Sequence, residues 1–410
     1  MRHAGGGFFP LDERWELTTS VYSPERAKQM VWLAAARRSP KSEGEAPPLL
    51  TLDDLAWIEP EEATEDRPPT PKPEVCLTVL GGRTPQAAVE ALGENRWQVC
   101  LRPGTDSFFL GQPVTSADRL EPGDLIRKAR RLPLPESYRP GSLGVRYLPR
   151  IIPRPQRVLM VPVVVGGIQA GPHERELING GLVAAELAER NWPWCTVGRV
   201  IARVPGQLDQ IGSAVLVGPN LILTASHAVP WGATQWSMEF IPGFRNGDPN
   251  PRPFGSAFVQ HARGIRTEKD DVHGRDYVIA SLYQPIGRQA GWMGTWYYFD
   301  DDSYRRSGWQ SIGYPGSNNN RPMLAPDLRI EDVDSDGDGR ELETAEFLPG
   351  GWSGGPLFGW FGRDPRVVGI ASGNEEEFSL GWFHVTEDHS VFAGGQHMVD
   401  LVKYGYANWA

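Results

Sequence analysis

The sequence predicts a mainly β protein, a sandwich or barrel in its C-terminal part preceded by a smaller α/β region. Three observations predict this. After residue 192, short apolar runs are punctuated by Gly, Asn, Asp and Pro, as in GSAVLVGPNLILTASHAV at 212–229 and RVVGIAS at 366–372. Many short strands with turn signals, without strand–helix alternation, build sandwiches and barrels rather than parallel sheets. Composition also changes along the chain: residues 1–172 hold 22 of the 37 prolines, and 11 of the 15 tryptophans follow residue 180. Charge divides too, with 23 basic and 23 acidic residues in 1–180 but 18 basic and 28 acidic in 181–410, the source of the whole net charge of −10. A length of 410 residues suits about two or three domains.

In chain order, Ser23-Pro24-Glu25 reads as an N-cap, a first-turn proline and a first-turn acid, opening a helix towards Arg38. Residues 39–73 are rich in Pro, Glu and Ser and read as linker, so 1–73 is a helix plus linker. Residues 74–131 read as a small α/β module: strand Cys76–Leu80, a helix from Thr84-Pro85 to Leu92, strand Trp97–Leu101, then the basic run Arg127–Arg131, a docking patch or a solvated surface. Residues 132–180 are a connector rich in Pro and Arg. The apolar run Val158–Gly167 is about half a membrane span and contains Pro162, so it reads as a buried strand. The large domain, 181–410, opens with a helix from Gly181 to Arg190 and continues as strands.

Bulk properties exclude several classes. A hydrophobic content of 40% excludes a wholly disordered chain, and the acidic balance argues against nucleic acid and anionic membranes as partners. Cys76, Cys100 and Cys195 are too few for a disulfide framework. The N-terminus lacks the apolar stretch of a signal peptide and carries Asp12, Glu13 and Glu16 early, so a cytoplasmic protein is expected.

Three segments carry chemistry: LTASHAV with His227, RDYVIASL with Asp276 and PGGWSGGPLF with Ser353. A serine hydroxyl attacks only when an imidazole takes its proton, and that imidazole needs a carboxylate to fix its tautomer. Glycines beside Ser353 permit a turn that aims backbone N–H groups at a developing oxyanion. Each residue alone has a structural reading, and GxSxG also fits an α/β-hydrolase elbow. That fold needs its Asp and His after the Ser, where only a short tail remains.

LTASHAV resembles the histidine motif of trypsin-like serine proteases, GGWSGGP their nucleophile motif and DYVIASL their aspartate motif, in the family's order. The flanking SLYQPIGRQAGWMG and SIGYPGSNNN are most similar to the bacterial branch that holds the glutamyl endopeptidases, over about residues 192–405. The resemblance implies two six-stranded antiparallel barrels with the active site between them. It makes His227 the general base, Asp276 its orienting acid and Ser353 the nucleophile, with the oxyanion hole formed by the N–H groups of Gly351 and Ser353. It places Phe347 at the base of the specificity pocket and Ala371 where glutamate-cutting members carry a His. Trypsin-type and glutamate specificity are therefore not expected, and an apolar or small side chain before the cut is. Ser372, Gly373 and Asn374 would pair with substrate backbone. Trp352 replaces the Asp that pairs with a new N-terminus in many members, so that activation switch is not expected.

Residues 331–346 hold eight acids and one arginine. Asp332, Asp334, Asp336, Gly337 and Glu343 match a calcium loop, although Gly339 fills a position usually aliphatic. Two readings stand: a structural calcium held by Asp332, Asp334, Asp336 and Glu343, or a solvated acidic loop that steers substrates. No cofactor is required by the chemistry. The expected activity is serine endopeptidase action on protein or peptide substrates, with the N-terminal region restraining the enzyme or recruiting a regulatory protein. The alternative is a binding or scaffold protein that keeps the fold without turnover.

Overall fold

The structure, a computed structural model, describes residues 48–68, 114–120, 132–152, 185–265, 267, 273–376 and 388–410, together with the backbone of short strands between 77 and 174. The helix expected over 23–38 and the basic run 127–131 lie outside the described residues.

The protein is mainly β. Six strands form a closed antiparallel barrel: β1 (Val197–Arg203), β2 (Gln210–Leu216), β3 (Leu221–Thr224), β4 (Ser237–Pro242), β5 (Ala257–Gly264) and β6 (Val278–Leu282). Their order is β4-β1-β2-β3-β6-β5, and pairing of Glu239 with Phe258 and Phe240 with Ala257 joins β5 back to β4. Closure joins β4 to the start of β5, and Val215, Leu223, Phe240, Val259 and Ile279 are fully buried in the core.

The second half is a larger sheet of β7 (Trp309–Gly313), β8 (Met323–Leu328), β9 (Asp332–Asp336), β10 (Gly339–Thr344), β11 (Pro356–Phe361), β12 (Asp364–Glu376) and β13 (Asp388–Gly394), in the order β9-β10-β13-β12-β11-β7-β8. Among the described residues one barrel is closed, and this second sheet continues past β8 into strands Ala185–Leu187 and Ile151–Ile152 instead of turning back onto β9. Helix α1 (Gln396–Asn408) closes the chain and packs on the barrel, with Gly405 against Ile279 and Leu221. Among the described residues no helix is long and apolar enough to cross a membrane.

Two helix expectations are corrected. Residues 87–93 form a strand paired with Arg96–Leu101, so the segment is a hairpin. Residues 185–187 form a strand between β8 and Ile151–Ile152, and Glu186 is buried beside Arg245 and Arg321. Both stretches have ordinary helix-forming residues, but an available strand partner satisfies the backbone equally well, and the weak local preference loses.

The expected linker and connector also contribute to the core. Leu49–Leu50 pairs with β11, and Thr51 caps the turn Leu52–Leu55 in a reciprocal capping box with Asp54. Ser116–Arg119 adds a parallel strand to β5. Leu55, Leu143, Val145 and Tyr147 are buried in the main core.

Candidate active site

β3 delivers His227. The strand ends at Thr224, and Ser226–Ala228 makes one tight turn anchored by Trp231, whose indole N–H donates to the Ser226 carbonyl at 2.9 Å. Asp276 sits two residues before β6, the neighbour of β3, and is fully buried. Its Oδ1 accepts from the His227 backbone N–H at 2.9 Å and the Thr267 hydroxyl at 2.5 Å. Its Oδ2 accepts from the Ser372 hydroxyl at 2.7 Å and lies 2.6 Å from His227 Nδ1. Burial would push this carboxyl up. Hydrogen bonds from the His227 ring, from Thr267 and from the His227 backbone, together with attraction to His227, outweigh burial and hold it below its ordinary value. An ionised carboxylate only accepts, so Nδ1 carries the proton and Nε2 is left as the acceptor.

The Ser353 loop is docked against this barrel. The Ser213 backbone N–H donates to the Ser353 carbonyl at 2.8 Å, and a Cβ on Gly212 would lie 3.0 Å from the same oxygen. Gly354, at φ +85°, fits where a Cβ would meet the Ser213 carbonyl at 2.1 Å, the Thr224 hydroxyl at 2.3 Å and the Ala225 nitrogen at 3.0 Å. Ala225 is two residues from His227, so this close approach draws the serine loop to the histidine turn. No hydrogen bond joins Ser353 to His227 among the described residues; such contacts are commonly long in the free enzyme and tighten on substrate.

The Gly350 carbonyl accepts from the Gly316 N–H at 3.2 Å, and the Gly351 carbonyl accepts from the Ser213 hydroxyl at 2.8 Å. In a trans peptide N–H and C=O point oppositely, so tying Gly350 to Gly316 fixes the direction of the Gly351 N–H. The N–H groups of Gly351 and Ser353 have no acceptor among the described residues, which leaves the expected pair of donors available. Gly351 stands at φ +99°, with the Tyr314 carbonyl 2.7 Å from where a Cβ would be. Trp352 is buried: its indole donates to the Ser311 hydroxyl at 2.8 Å and lies across Gly313, where a Cβ would approach it to 2.4 Å.

The remaining expected site residues are placed differently. Phe347 is 53% exposed, so its side chain is not enclosed at a pocket base. The Ser372 hydroxyl is committed to Asp276. The Asn374 side chain holds the neighbouring loop, donating to the Leu348 carbonyl at 3.0 Å and accepting from the Ser390 hydroxyl at 2.6 Å. Gly373 pairs with Val391 beside an irregularity in β12.

The acidic run is a β-hairpin. Asp332 pairs with Glu343 and Asp334 with Glu341 across β9 and β10. Strand alternation spreads Asp332, Asp334 and Asp336 along one face. Asp332 pairs with Arg305, and Asp336 lies 3.4 Å from the Arg275 guanidinium and 2.5 Å from the His273 ring. The acids whose oxygens lie within 4.8 Å of one another are Asp334, Glu341 and Glu343, so the expected four ligands do not converge.

Sequence reasoning missed Thr267 and Ser213. Thr267 has no local signal, since its role depends on the loop returning to Asp276. Ser213, in the stretch Gly212-Ser213-Ala214, reads only as a strand residue.

No protein-family profile matches the chain, and no curated protein matches it. Among solved structures, a partial likeness is to a glutamyl endopeptidase in complex with MPD, at 16% identity and TM-score 0.42 over 57% of this chain and 100% of that one. Protease Anisep from Arthrobacter nicotinovorans gives 16%, 0.40, 53% and 97%. A thermostable serine protease, AL20, from an extremophilic microorganism gives 18%, 0.38, 52% and 97%. With TM-scores below 0.5, a functional reading rests on the residues of this chain.

Proposed function

We propose that the protein is a serine endopeptidase acting through an acyl-enzyme. The observation that carries this reading is the fully buried Asp276 with His227 Nδ1 at 2.6 Å, on the barrel to which the Ser353 loop is tied. His227 Nε2 takes the Ser353 Oγ proton as the oxygen attacks the peptide carbonyl carbon. The carbonyl oxygen becomes an anion facing the Gly351 and Ser353 N–H groups, where loss of one donor typically costs ~10²–10³-fold in rate. Asp276 stabilises the imidazolium, which then protonates the departing amine. Water, deprotonated by His227, releases the acyl group and restores Ser353. Substrates are proteins or peptides, with an apolar or small residue before the cut: the buried Ala371 offers no charge to match Glu.

The test is a peptide-library digest with the full chain and with Ser353→Ala, alongside labelling by a fluorophosphonate. Expected are labelling at Ser353 and cleavage after apolar or small residues, both abolished in the variant. A wild type that neither labels nor cleaves overturns the reading in favour of a protease-fold binding protein. Cleavage mainly after Arg, Lys or Glu overturns the specificity.

A further inference from the structure

We propose that the β9–β10 hairpin is a positioning element for Asp276, acting through residues 273–275, with Glu341 and Asp336 as its positioning residues. The inference rests on the reading of Asp276 as the acid that orients His227. The hairpin belongs to the second sheet and the 273–275 segment leads into β6 of the first barrel, so the contact crosses between the halves. Glu341 accepts from the Gly274 backbone N–H at 3.0 Å. Asp336 faces Arg275 and His273 at 3.4 and 2.5 Å, and the Arg275 guanidinium lies over Gly337, 3.3 Å from where a Cβ would stand. The backbones touch: a Cβ on Gly339 would fall 2.2 Å from the Gly274 carbonyl, and one on Gly274 would fall 2.9 Å from the Arg340 carbonyl carbon. The segment so held leads straight into the triad, because the Asp276 N–H donates to the His273 carbonyl at 3.0 Å.

This assignment accounts for the feature that fits a calcium loop least. Gly339 stands where an aliphatic residue is usual because a side chain there would strike immobile backbone of the Asp276 loop. The alternating acids are strand positions, and two of them grip that loop. Thr267 and Ser372 fix the Asp276 carboxylate from one side, while the hairpin fixes its backbone from the other.

The test compares full-length Glu341→Ala, Glu341→Gln and Gly339→Ala by two measurements. One is the second-order rate of Ser353 phosphonylation. The other is the downfield proton NMR signal of the His227–Asp276 hydrogen bond, which needs no turnover. Loss of the acceptor in Glu341→Ala, and the clash in Gly339→Ala, should each lower the rate at least tenfold and shift or broaden the signal. Glu341→Gln keeps an oxygen that accepts from Gly274, and should stay within about twofold of wild type. Wild-type rate and signal in Glu341→Ala and Gly339→Ala overturn the proposal, as does a Gln variant as impaired as the Ala variant. If the wild type does not label but its signal moves in Glu341→Ala, the positioning role stands and the endopeptidase reading falls.

Discussion

Asp276 concentrates hydrogen bonds on a buried carboxylate, and each donor can be separated from the fold. Thr267→Val keeps shape and removes the hydroxyl that bonds Oδ1. A hydrogen bond to a charged group contributes about 1.5–3 kcal/mol, so the variant should be destabilised by that order at neutral pH. The sign with pH follows from linkage. Asp276 titrates below its ordinary value, so its contribution is complete above the ordinary carboxylate range near ~4 and is lost as pH falls through the folded value. With one donor gone the folded value rises, and the acid limb of stability moves to higher pH. Chemical denaturation of wild type and Thr267→Val across acid pH checks this; coincident acid limbs would show that Thr267 does not hold the charge. At this scale His227, Asp276 and Ser353 were legible because nucleophilic chemistry demands particular residue types in short glycine- and apolar-flanked motifs. Thr267 was not, since a threonine among polar loop residues acquires a role only from what folds over it.

At the scale of elements, the serine loop and the first barrel are joined through glycine. Gly354 combines a left-handed φ of +85° with a seat in which a Cβ would contact the Ser213 carbonyl at 2.1 Å. Neither the β2 backbone nor the hydroxyl of Thr224, itself bonded to the Ser213 carbonyl at 2.7 Å, can give way cheaply. Gly354→Ala should therefore lift Ser353 from the barrel, lowering phosphonylation at least a hundredfold and destabilising the fold by about 1–3 kcal/mol for the strained backbone. Labelling kinetics and thermal melting test this, and a variant that labels at the wild-type rate would refute the seating. The glycines around Ser353 were legible as a turn, but their individual duties were not. The Gly351 N–H is oriented through Gly316 and Gly354 admits another strand's carbonyl, and both duties depend on partners outside the motif.

For the whole molecule, the N-terminal segments are part of the folding unit. Leu55, Leu143, Val145 and Tyr147 are at most 2% exposed and share one core with the barrel. At about 1.5–3 kcal/mol for each large apolar side chain, their burial rivals the ~5–15 kcal/mol that holds a typical domain together. A chain starting at residue 181 also loses strands Leu49–Leu50, Ser116–Arg119 and Ile151–Ile152, exposing edges of both sheets. That fragment should be insoluble or melt at least 15 °C below the full chain, as calorimetry or limited proteolysis would show. A fragment of unchanged melting temperature would show that these segments are dispensable for the fold.

The sequence by itself determined the β class and named the candidate site residues, because short apolar runs, turn residues and nucleophile motifs act over a few positions. Ser353, His227 and Asp276 stand out in it as candidates. Only the tertiary structure decided that 185–187 is a strand, that the expected linker enters the core, and that the alternating acids grip the Asp276 loop. The physical reason is common to all three. A strand needs a partner, an apolar side chain needs a cavity and a carboxylate needs a counter-charge, and in each case what supplies it lies far along the chain.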